Sequence, residues 1–217
     1  MRIAECFINI ASILHDQEFL EDALDRYRIA IRILASTTNN RTSLMVAQAE
    51  NMCGNILRRK GELDDALKAY EKALLIYEAH CPFSLHVADT KVFMAIALIE
   101  SKKYCLANAH LLQSQSILSR AEYEQNSIRL LNCKYYIAII ALENKRYQEA
   151  LVYANFIIEH KPMYKFALLL KAKVLKVMGR INQAQRVCKR LIEIDGNHQD
   201  AHELLDGCNL LQKVYHQ

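Results

Sequence analysis

Apolar residues recur along this chain at steps of three and four, with polar residues between them. That is the period of an amphipathic helix, and no stretch alternates strictly as a half-buried strand would. The spacing predicts eleven helices, at roughly 2–16, 19–34, 43–59, 63–79, 84–101, 104–119, 124–144, 147–160, 163–178, 181–194 and 198–213. Only 5 Gly and 2 Pro fall among 217 residues, too few for the many turns of an all-β chain.

One pattern returns five times. It reads EFLEDALDRYRIA at 18–30, GELDDALKAYEKA at 61–73, KKYCLANAHLLQS at 102–114, KRYQEALVYANFI at 145–157 and GRINQAQRVCKRL at 179–191. Its aligned alanines are Ala23, Ala66, Ala107, Ala150 and Ala184, separated by 43, 41, 43 and 34 residues. Twelve positions before each stands another small residue: Ala11, Gly54, Ala95, Ala138 and Ala172. Small residues at matched points of two successive helices let their backbones cross closely, while large neighbours such as Leu57, Leu98, Tyr27 and Tyr70 fill the flanking grooves. Each unit therefore reads as an antiparallel helix pair. A single pair cannot bury both apolar faces, so the pairs are expected to stack into a solenoid.

These residues resemble the tetratricopeptide repeat (TPR) family. Gly54, Gly61, Ala66, Tyr70 and Ala73 match its pattern in the second repeat, Ala11, Ala23, Tyr27 and Ala30 in the first, and Pro162 matches its closing proline. The 41–43-residue spacings resemble the extended repeats of kinesin light chain-type adaptors, most closely over 51–90. The resemblance implies an all-α, right-handed superhelical solenoid of antiparallel helix pairs: five TPR-like repeats at about 1–36, 43–82, 83–121, 124–162 and 163–196, then a capping helix in 197–217. Two departures stand out. Glu18, Lys102 and Lys145 occupy the turn-glycine position, and Ile157 and Leu191 replace the third small residue, which predicts wider helix crossings in repeats four and five.

Charge and candidate chemistry change this picture little. The net charge of +4 is mild and does not by itself imply nucleic acid. The seven cysteines are scattered, with no Cys-x-x-Cys, which points to reduced thiols and an intracellular, cytoplasmic setting. No apolar run reaches a membrane span. No phosphate loop, Ser–His–Asp set or Cys–His signature is present, so the chain is expected to be neither an enzyme nor a cofactor carrier. His198 and His202 share metal-ligand spacing but lack a third ligand, and no metal site is expected.

The resemblance implies that the first helix of each pair lines a concave groove for peptides. Its positions carry over to Asn9 in the first repeat and to Asn51, Asn55, Arg58 and Arg59 in the second. They carry over to Phe93 and Ile96 in the third, to Tyr135, Tyr136 and Ile139 in the fourth, and to Lys173 in the fifth, with Asn132, Phe166, Leu170 and Lys176 in the wider set. Amides can hold an extended backbone, the arginines can pair with carboxylates, and the rings can anchor an apolar side chain. The expected function is a non-catalytic adaptor or scaffold that binds a protein or peptide partner, acidic with an apolar anchor. A second reading is an architectural subunit of a larger assembly or a homodimer that uses its helix faces. RNA binding through the basic stretch 171–190 ranks behind both, because its seven Lys and Arg would divide among several helix faces.

Overall fold

The computed structural model describes residues 2–35, 40–120 and 127–215. Among them lie eleven helices and no strand: α1 (Arg2–Asp16), α2 (Leu20–Ala35), α3 (Asn40–Arg59), α4 (Leu63–His80), α5 (Leu85–Glu100), α6 (Tyr104–Arg120), α7 (Ile128–Glu143), α8 (Tyr147–His160), α9 (Lys165–Val177), α10 (Ile181–Ile194) and α11 (Gln199–Tyr215). The expected boundaries at 1, 36, 121, 124 and 217 lie outside the described residues.

The helices pack in succession, α1 with α2, α3 with α4, α5 with α6, α7 with α8 and α9 with α10, and α11 lies against α10 and α9. The chain divides into two compact units, one holding α1 to α6 and the other α7 to α11.

The matched small residues sit where the helices cross. Ala11, Ala95, Ala138 and Ala172 are fully buried, as are Ala23, Ala66, Ala107, Ala150 and Ala184. Gly54 marks such a point in the second repeat. A Cβ there would lie 2.5 Å from Cε1 of Tyr70, so the ring of α4 rests directly on the backbone of α3. Tyr27 fills the corresponding place beside Ala11 and is almost wholly buried.

The turn inside each pair has one geometry throughout. Glu18, Gly61, Lys102, Lys145 and Gly179 all have positive φ, between 59° and 82°. In each case the next residue donates its N–H to the carbonyl five positions back, as Glu62 does to Leu57 at 2.9 Å and Arg146 to Ala141 at 2.7 Å. This is the Schellman ending of a helix. The three non-glycine residues thus accept a left-handed backbone, with its steric cost, to keep the turn.

At the third small position, Ile157 and Leu191 are fully buried in one cluster with Ala167 and Ala201, which are also fully buried. The bulk on the second helix of the pair is met by an alanine on a later helix. Ser84 and Ser127 cap α5 and α7, each accepting an N–H three residues on, from Val87 and Leu130.

Candidate functional site

In the first unit, α1, α3 and α5 carry the expected groove residues. Asn51 Nδ2 donates to Thr90 Oγ1 at 3.0 Å, and Thr90 in turn donates to the His86 carbonyl at 2.7 Å. Tyr70 donates its hydroxyl to Asn55 Oδ1 at 2.8 Å, so the ring seated on Gly54 also orients the groove amide. Phe93 is half-buried and stacks on Tyr70 with centroids 6.1 Å apart. Ile96 is half-buried on α5, and Asn9 is exposed on α1.

The two arginines arrive already engaged. Arg58 Nη1 lies 2.6 Å from Glu100 Oε1, and Arg59 pairs with Glu18 and approaches His15. Both were expected to await a partner's carboxylates, and both instead meet carboxylates of their own chain. Two buried atoms of this face are unsatisfied, Asn51 Oδ1 and Arg58 Nε. Burial raises the Tyr70 hydroxyl pKa, against the nearby Arg58 charge, so the hydroxyl stays protonated and a donor.

In the second unit the aromatic residues meet. Tyr135 lies 5.2 Å from Tyr136, 6.2 Å from Tyr164 and 6.1 Å from Phe166, ring centroid to centroid. The Tyr164 hydroxyl donates to Asn132 Oδ1 at 2.6 Å, which ties the start of α9 to α7. Tyr135 and Ile139 are half-buried against the core, while Phe166 is 59% exposed. Burial pushes the Tyr135 hydroxyl up to about 12. Leu170, in the wider groove set, is instead buried in the core.

Further along the same two helices opens a cavity of about 610 Å³. Leu142, Tyr147, Val177, Leu204 and Leu211 supply apolar walls; Lys145, Lys173, Lys176 and Glu143 supply the charge. Lys173 Nζ is 3.8 Å from Asp200 Oδ2, a loose pairing. Tyr147, Tyr164, Lys145, Leu204 and Leu211 were absent from the expected site. The two leucines sit seven residues apart on α11, a spacing that marks one helix face but does not say what it faces.

The basic stretch 171–190 does divide among faces. Lys171 is half-buried, with its pKa lowered by burial and by Arg190, and Arg190 donates to the Pro162 carbonyl at 3.2 Å. His202 Nε2 lies 2.9 Å from the Gly196 carbonyl. Among the described residues no helix is long and apolar enough to cross a membrane, and all seven cysteines are free thiols.

Stacked antiparallel helix pairs with a capping helix define an all-α helical-repeat solenoid. Tetratricopeptide repeat models match residues 2–79 and 141–207, together about two thirds of the sequence. The chain belongs to the tetratricopeptide repeat family, whose members are in general non-catalytic protein–protein interaction modules. Its fold is similar to that of BtubC (BKLC) from P. vanneervenii, at 16% identity and TM-score 0.75, over 88% of this chain and 79% of that one. A putative kinesin light chain of Podosopora anserina with nearly identical TPR-like repeats matches at 13% identity and TM-score 0.73, over 90% and 95% of the two chains. YrrB, described as a TPR protein with an unusual peptide-binding site, matches at 19% identity and TM-score 0.58, over 91% and 89%. No curated protein matches the sequence.

Proposed function

We propose that the chain is an adaptor or scaffold whose second unit holds an acidic peptide segment by an apolar anchor. The cavity of about 610 Å³ carries this reading, because it combines leucine and valine walls with three lysines against one glutamate. An apolar side chain of the partner enters between Leu142, Val177 and Leu211, and its neighbouring carboxylates meet Lys145 and Lys173. The rings of Tyr135, Tyr136 and Phe166 extend the contact surface along α7 and α9, where aromatic groups give large buried area. That YrrB is described as having a peptide-binding site agrees with this use of the fold. Seven free thiols agree with an intracellular setting.

Arg58 and Arg59 contribute less than their charge suggests, since Glu100 and Glu18 already neutralise them. Fluorescence anisotropy with labelled peptides pairing a Phe or Leu with two or three Glu is the test. Lys145→Glu with Lys173→Glu is expected to weaken binding roughly tenfold or more, and added salt to weaken the wild type. Arg58→Glu with Arg59→Glu is expected to change affinity by less than about threefold. Equal affinity of the wild type and the lysine double variant would remove the acidic half of the reading.

A further inference from the structure

Helix α1 turns one face into its unit and leaves the other bare. Ala4 and Ala11 are fully buried, and Phe7, Ile8 and Leu14 pack against the same core. On an adjoining face Ile3 is 65% exposed, Ile10 46% and Ile13 57%, and Cys6 is exposed between them. The steps from 3 to 6, 10 and 13 are three, four and three residues. Steps that alternate between three and four are the spacing of a coiled-coil seam.

The edge of the stripe carries a second pattern. Arg2, Asn9 and Asp16 are exposed, seven residues apart, on one flank. Asp16 is 3.6 Å from its neighbour His15. We propose that a second copy of this chain covers the stripe, the two α1 helices lying antiparallel about a twofold axis. Antiparallel alignment sets Ile3 across from Ile13 of the other copy and Cys6 across from Ile10. In that register the nearest partners along the flank, offset by two residues, are Arg2 and Asp16, twice by symmetry, and Asn9 and its own copy near the axis. An amide both donates and accepts, so it can bond to itself there. A twofold interface must be self-complementary in this way. Parallel alignment brings like helix ends together and loses both matches. Because unit 1 already holds α1 as a helix, association need not meet the entropy of forming it.

One helix pair buries area near the low end of specific interfaces, so the dimer is weak. Sedimentation equilibrium on the full chain tests it. The weight-average mass is expected to rise from the monomer's 25.0 kDa towards twice that value as concentration reaches about 200 µM. Ile10→Asp, at an exposed position, keeps the mass at the monomer value with an unchanged melting temperature. Asp16→Arg weakens association roughly fivefold or more, and adding Arg2→Asp restores it. A monomer throughout that concentration range overturns the proposal. So does a dimer indifferent to Ile10→Asp, or a charge swap that restores nothing.

Discussion

At Gly54 a single hydrogen in place of a methyl decides how close α3 and α4 come. Gly54→Ala is expected to cost about 1–3 kcal/mol by overpacking against Tyr70, measured by urea denaturation. Tyr70→Leu in the same chain should recover part of that loss, because the clash is with the ring. The turns make the opposite prediction. Lys145 holds φ 60° without the freedom of glycine. Lys145→Gly relieves a strain of about 1–2 kcal/mol but adds unfolded-state entropy, leaving a net gain of about 0.5–1 kcal/mol. Gly61→Ala, at φ 82°, should lose about as much. The sequence puts a non-glycine at three of these turns, yet the turn geometry is the same at all five. The backbone bonds on either side hold the turn, and the residue takes the strain.

On the scale of the helix, α5 and α6 hold a buried base between them. Lys91 of α5 is buried and bridges Glu78 Oε1 and Gln113 Oε1, both at 3.0 Å. His110 of α6 has an unsatisfied buried Nδ1, and burial, reinforced by Lys91, holds its imidazole below the usual histidine range. As pH falls, the unfolded chain protonates this histidine first, at about 6.5. The stability it allows is therefore full above that pH, falls as pH drops through it, and levels off below the folded value. Urea midpoints compared at pH 7.5 and 5.5 should show the fall, and His110→Gln should reduce it. Caps act at this scale too: Ser84→Ala is expected to cost about 1 kcal/mol.

Over the whole molecule, stability is organised by unit. The core around Tyr27 and Tyr70 runs from Ala11 of α1 to Ala97 of α5, whereas α7 to α11 have their own clusters. Hydrogen exchange of Gly54→Ala should therefore quicken across α1 to α5 and leave the protection of α8 to α10 unchanged. The helices and their pairing were largely legible beforehand, because a 3.6-residue period and paired small residues are local signals that survive in one sequence. The ion pairs were not. Arg58 meets Glu100 42 residues away and Arg59 meets Glu18 41 away, and such matches depend on how neighbouring repeats align. The cavity was legible in part: Lys173 and Lys176 stood among the expected groove residues, but its far wall comes from α11. The seating of Tyr70 on Gly54 finally imposes an order on how this protein can change. A lineage can shrink the ring first and then admit alanine at 54, but the reverse order passes through an overfilled crossing, so the two positions share one history.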